Sequence, residues 1–227
     1  MGDVVVVGRR VSRRAVLGHC SAWLALAATP GLSAAAPDPA TLLVVGDSLS
    51  AEYGLARGSG WVALLGQRLA EKRIALRVVN ASISGDTTSG GRTRLPALLA
   101  QHRPAIVILE LGANDALRGL PLAMTRDNLA AMTRAARAAG AKVVLVGMQV
   151  PPNYGRTYTE QFERLYADVA KAEGAALVPF LLAGVADAPN ADALFQPDRI
   201  HPTAAAHPRM LDNVWRVLAP LLPAPRR

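Results

Sequence analysis

The chain has 227 residues, 51% of them apolar and 19% charged, with a single cysteine; this balance excludes a disordered polymer and a disulfide-built scaffold and implies one domain or a small pair. Only 4% of residues are aromatic, so the apolar content rests on Ala, Leu and Val, which suits helices packed on parallel strands and argues against a base-stacking nucleic-acid binder. The formal charge is +8, and Arg9, Arg10, Arg13 and Arg14 set against Asp3 supply three of those units before residue 37; the remainder is spread without a run of like charge, a basic surface suited to transient contact with an anionic membrane rather than to nucleic acid.

Residues 1–36 have the layout of an export signal: a positive opening, an apolar stretch over 22–28, then Ser33, Ala34, Ala35 and Ala36. The run Ser12-Arg13-Arg14-Ala15-Val16-Leu17 also resembles a twin-arginine signal, so both export routes stay open. A membrane anchor is the weaker alternative, because His19, Thr29, Pro30 and Gly31 interrupt the apolar stretch short of the ~20 residues a span needs. Cys20 invites a lipoprotein reading, but His19 precedes it where a small residue is wanted. Cleavage and a periplasmic or secreted mature protein are expected, and with no cysteine after Cys20 its folding needs no oxidising compartment.

Residues 37–227 read as one domain. Short β-branched runs at 42–45, 77–80, 106–111, 142–148 and 176–180 predict five strands, apolar along their length as strands buried on both faces are. Amphipathic segments at 61–72, 92–102, 125–139, 159–173 and 203–221 predict the helices between and after them. Gly140, Gly174 and the pair Pro151-Pro152 fall where elements should stop. The fold class expected is α/β, a three-layer α/β/α sandwich around a five-stranded parallel sheet, with ligands beyond the carboxyl ends of the strands.

Chemistry-bearing residues follow those ends. After the first strand comes Gly46-Asp47-Ser48-Leu49-Ser50, after the second Asn80-Ala81-Ser82-Ile83-Ser84-Gly85-Asp86, after the third Gly112-Ala113-Asn114-Asp115, and before the last helix Asp198-Arg199-Ile200-His201-Pro202. A serine hydroxyl needs an imidazole to take its proton and a carboxylate to orient that imidazole. Of four histidines, His19 lies in the signal, His102 ends a surface helix and His207 falls in the last helical segment, leaving His201 as the base. Asp198, three residues earlier, can fold back onto Nδ1 and leave Nε2 for Ser48. The spacing is not the Gly-x-Ser-x-Gly elbow, since Ser50 stands at its second glycine. No Gly-x-Gly-x-x-Gly or phosphate loop follows the first strand, which disfavours a nucleotide binder.

In order and spacing these four blocks resemble those of the SGNH (GDSL) hydrolase superfamily, over about residues 41–222. Leu95-Pro96-Ala97-Leu98-Leu99, Leu117-Arg118-Gly119-Leu120 and Pro152-Asn153-Tyr154-Gly155-Arg156 are similar to its bacterial periplasmic thioesterase/lysophospholipase and arylesterase branch. The resemblance implies a flavodoxin-like SGNH hydrolase fold and cleavage of carboxylic esters and thioesters by Ser48, His201 and Asp198 through an acyl-enzyme. It also implies an oxyanion hole from the Ser48 and Gly85 backbone N–H groups and the Asn114 amide. No metal or cofactor is implied, and a monomer acting on a small acyl ester or thioester is expected.

Leu117, Leu120, Leu122, Pro152 and Tyr154 are expected to line an acyl groove. Asp47 and Asp115 are expected to be structural, and Asn80 to brace the site from behind. Two departures from the branch stand out: Glu52 before Tyr53, expected to place a carboxylate at the mouth of the site, and Ala113 in place of a glycine. Arg199 should point outward. A carbohydrate O-deacetylase of the same superfamily and a non-catalytic binding protein remain the alternatives.

Overall fold

The computed structural model describes residues 39–150 and 152–225; the segment 1–36 read as an export signal, with Cys20, lies outside the described residues. Five parallel strands are present, β1 (Ala40–Gly46), β2 (Leu76–Asn80), β3 (Ile106–Glu110), β4 (Lys142–Val146) and β5 (Ala176–Val178), in the order β2-β1-β3-β4-β5. The α/β/α sandwich and its five-stranded parallel sheet are as expected. The central strands are shielded on both faces: Leu42, Leu43, Val44 and Val45 of β1 and all five residues of β3 are buried, as continuous aliphatic runs require.

The helices are α1 (Trp61–Glu71), α2 (Thr88–His102), α3 (Ala113–Leu117), α4 (Leu122–Ala138), α5 (Arg156–Glu173), α6 (Ala191–Leu194) and α7 (His207–Leu218). α1 packs with α7, while α4 packs between α2 and α5. α1 buries Trp61, Val62, Leu65 and Leu69, spaced to make one stripe of a 3.6-residue helix.

Several expected boundaries move for local reasons. α2 begins four residues before the expected 92, because Thr87 Oγ1 accepts the Gly90 N–H (3.3 Å) and Asp115 accepts the Thr88 N–H (2.8 Å), a capped start that Gly90 and Gly91 mask in sequence. Gly91 serves packing: a Cβ there would lie 2.3 Å from a Leu111 methyl. The continuous last helix expected at 203–221 is divided into a 3₁₀ turn at Ala204–Ala206, α7, and a second 3₁₀ turn at Ala219–Leu221. The prolines Pro208 and Pro220 sit at the openings of the last two pieces, where a missing N–H costs little.

What positions the site is the strand order. The first strand, β1, lies in the sheet interior; the chain then moves out to β2 and returns past β1 to β3, β4 and β5. The connections leaving β1 and β3 therefore part to opposite faces and open a crevice at the carboxyl edge between them. Ser48 follows β1 and Asn114 follows β3.

Candidate active site

The loop after β1 is tied from several sides. Asp47 O accepts the Ser50 and Ala51 N–H groups (3.2 and 3.0 Å), and Asp47 Oδ1 accepts the Leu49 N–H (3.0 Å). From β2, Asn80 Nδ2 donates to Ser50 O (2.7 Å), so Asn80 braces this loop from behind. Ser48 is left half-buried with its side chain facing the crevice. Among the described residues neither its N–H nor that of Gly85 meets an acceptor.

His201 and Asp198 arrive from the far end of the chain. Asp198 Oδ1 accepts the Ile200 and His201 N–H groups (3.0 Å each), closing a turn that brings the His201 ring over its own Oδ2. Nδ1 and Oδ2 are 2.6 Å apart, and Nε2 and Ser48 Oγ are 2.8 Å apart. Those hydrogen bonds to His201 and Ile200 hold the Asp198 carboxyl down to about 2, below the usual carboxylate range. An ionised Asp198 calls for the proton on Nδ1 and leaves the Nε2 lone pair to the Ser48 O–H. The Tyr53 ring lies against the imidazole with centroids 4.3 Å apart; it stands just past the first block, yet no spacing rule marks it.

Asn114 sits in the first turn of α3, and its Nδ2 donates to Asp47 Oδ2 (3.0 Å). One amide hydrogen is thereby committed, and the other remains for a ligand oxygen in the crevice. Burial pushes the Asp47 carboxyl up to about 6, against the Leu49 N–H and the Asn114 amide, which lower it. Gly85 has φ of 78°, and its carbonyl accepts from Arg118 Nη2 (2.7 Å). A Cβ at Gly85 would meet only that guanidinium, at 3.6 Å. The left-handed backbone at this position favours glycine.

Asp115 accepts the Thr88 N–H and side-chain O–H and the Thr125 hydroxyl, a buried cross-link among α2, α3 and α4. Gly112, beside Ala113, has φ of 122°, and a Cβ there would stand 2.3 Å from Tyr166 Oη.

A cleft of about 600 Å³ opens onto Ser48 and His201. Its walls are mainly apolar, from Leu117, Met148, Val150, Phe180, Leu182 and Phe195, with Asp187, Asp192 and Arg199 among its polar liners. Of the five residues expected to line an acyl groove, Leu117 does so. Leu122 instead packs on the core, and Tyr154 faces Tyr158 with centroids 6.1 Å apart. Leu120 is also outside the lining set, and the Pro152 side chain lies outside the described residues. The walls come instead from segments after β4 and β5 and from α6, which carry ordinary apolar residues with no pattern to single them out.

One further expectation changes. The Glu52 carboxylate turns away from the mouth and accepts the Gly58 and Gly60 N–H groups (2.8–3.1 Å) just before α1. Arg199 borders the cleft with its side chain 83% exposed and Nη2 4.0 Å from Asp192.

Fold and site together define a hydrolase of the α/β/α sandwich class. The chain belongs to the GDSL-like Lipase/Acylhydrolase family, whose pattern matches residues 44–209. It is similar to Esterase TesA of Pseudomonas aeruginosa, 58% identical over 182 residues that cover 80% of this chain and 89% of the relative. It is also similar to Thioesterase 1/protease 1/lysophospholipase L1 of Escherichia coli K12, 43% identical over 189 residues, covering 83% and 87%. A crystal structure of TesA superposes with a TM-score of 0.77 at 58% identity, covering 80% of this chain and 99% of that one.

Proposed function

We propose that the protein cleaves carboxylic esters and thioesters with apolar acyl groups, by acyl transfer through Ser48. The Ser48 hydroxyl passes its proton to His201 Nε2 as Oγ attacks the acyl carbonyl, and the imidazolium then protonates the departing alcohol or thiol. Water, giving its proton to the same nitrogen, attacks the acyl-enzyme and releases the acid and Ser48. Asp198 orients the ring and stabilises its charged form. The Ser48 and Gly85 N–H groups and the Asn114 amide receive the charge that grows on the carbonyl oxygen.

The observation that carries this reading is the unbroken series from Oγ to Nε2 (2.8 Å) and from Nδ1 to Oδ2 (2.6 Å) at the mouth of an apolar cleft. The names of the relatives, an esterase and a thioesterase/lysophospholipase, support the substrate class, and the mainly apolar walls with few polar groups favour an acyl chain over a sugar ring. Residues 1–36 are assigned as a cleaved export signal, which puts the mature enzyme in the periplasm or outside the cell.

Ser48→Ala is expected to lower kcat on a p-nitrophenyl ester by roughly 10⁴–10⁶ with the fold retained. More than a tenth of the wild-type rate in the purified variant would remove Ser48 from the role. Acetyl to dodecanoyl oxygen esters, thioesters and lysophospholipids assayed on one preparation, with acetylated sugars alongside, define the substrate; preference for the sugars would favour a deacetylase.

A further inference from the structure

Beneath the loop that carries Ser48 lies a carboxyl group to which the chemistry above gives no task. Glu110 is the last residue of β3 and pairs in register with Gly46, the last of β1. It is fully buried, in a strand whose other four residues are aliphatic. Its Oε2 accepts the Ser50 hydroxyl (2.7 Å) and faces the Asp47 N–H at 3.4 Å. Its Oε1 is buried and, among the described residues, has no partner.

A carboxyl stripped of water with one oxygen orphaned is an expensive thing to hold at a strand end. Among the described residues, its hydrogen-bond contacts run to the two residues flanking Ser48–Leu49 on the same loop. We propose that Glu110 is a positioning residue: it clamps the 47–50 loop from below through the Asp47 N–H and the Ser50 hydroxyl, and so sets where the Ser48 Oγ and N–H stand relative to His201 and the substrate carbonyl. The proposal rests on Ser48 being the nucleophile.

The surrounding geometry supports a clamp of fixed size. A Cβ at Gly46 would lie 2.8 Å from both Glu110 Oε2 and Ser50 Oγ, so strand and loop close directly onto the carboxyl. Asp47 passes the restraint onward, holding the Leu49 N–H with one oxygen and the Asn114 amide with the other. The backbone on both sides of Ser48 is therefore pinned, while the Ser48 N–H stays open. Burial, with the adjacent Asp47 charge, drives the Glu110 carboxyl well above its ordinary range. Burial thus favours the neutral carboxyl, and Oε2, facing the Asp47 N–H and the Ser50 hydroxyl, acts as an acceptor only. A neutral amide can then reproduce the clamp, because the side-chain oxygen of glutamine accepts as Oε2 does.

The test compares Glu110→Gln, Glu110→Ala, Ser50→Ala and the double variant Glu110→Ala/Ser50→Ala in steady-state hydrolysis of p-nitrophenyl butyrate, with folding followed by circular dichroism and Tm. Glu110→Ala is expected to lower kcat about 10–100-fold with KM within about twofold, the signature of a misplaced reacting group. Glu110→Gln should restore kcat to within about threefold of wild type. Ser50→Ala should lower kcat about tenfold, and the double variant should be no worse than Glu110→Ala, as for two halves of one contact. If Glu110→Ala does not fold, Ser50→Ala, which removes one hydroxyl, carries the comparison alone. Wild-type kcat in folded Glu110→Ala or Ser50→Ala overturns the proposal, as does a Glu110→Gln variant as slow as Glu110→Ala. Ser48→Ala in the same assay reports on the nucleophile by itself, so failure of that assignment is seen separately.

Discussion

Glu52 illustrates how one residue can leave a site it borders in sequence. Its φ of 59° lies in the left-handed region, which a side chain bearing Cβ pays to enter, and its carboxylate offsets that strain by accepting the Gly58 and Gly60 N–H groups. Glu52→Ala keeps the strained backbone and loses both contacts, so unfolding should become easier by about 1–3 kcal/mol. Glu52→Gly, which relaxes the backbone, should lose less. Acyl-chain preference should match wild type in both, because the carboxylate is not among the cleft residues. Thermal melts and the ester series check this; a changed chain-length profile would return Glu52 to the mouth of the site.

Among the elements, α1 shows how the two ends of the chain are joined on one face of the sheet. Glu52 approaches its start at Gly60, and His207, the first residue of α7, accepts the Trp61 N–H on Nδ1 (2.9 Å). A helix start favours an acceptor or an anion and disfavours a cation, so His207 must remain neutral. Burial lowers its tendency to take a proton, partly offset by the Glu52 charge and a hydrogen bond to the Pro202 backbone. The unfolded chain then binds a proton near pH 6.5 while the folded one resists, and stability is lost as pH falls below that value. His207→Asn keeps an acceptor and cannot titrate. The Tm advantage of wild type over this variant should therefore shrink between pH 7.5 and 5; a constant gap would show that His207 does not titrate in that window.

At the scale of the molecule, the cleft is a product of sheet order. The strands deliver Ser48, Asn114 and the hydrophobic segments after β4 and β5 to one edge, and α6 closes the far wall. Ala186 and Ala191 leave room on that wall. Ala186→Phe or Ala191→Phe should cut the rate on dodecanoyl esters about tenfold relative to acetyl esters, with acetyl turnover near wild type. Equal loss on both chain lengths would mean that the acyl group lies elsewhere.

The strand runs and their order of appearance were legible in the sequence because a strand buried on both faces must be apolar throughout, a local property. As candidates, Ser48, Asp198 and His201 were legible because a serine, a carboxylate and an imidazole fall in loops where a serine hydrolase needs them, and Gly85 and Asn114 through the family resemblance. Helix starts were less so: α2 depends on Asp115, well away in sequence, which accepts the Thr88 N–H. The walls of the cleft were not legible, since Met148, Phe180 and Leu182 have the composition of core residues and only the packing of separate segments decides which of them face the crevice. Glu110 was not singled out either: a carboxyl in an aliphatic run takes its meaning from the loop that folds over it, and that loop is 60 residues earlier at Ser50. Local chemistry set the elements and the candidate site residues, while long-range packing alone determined what surrounds and aims them.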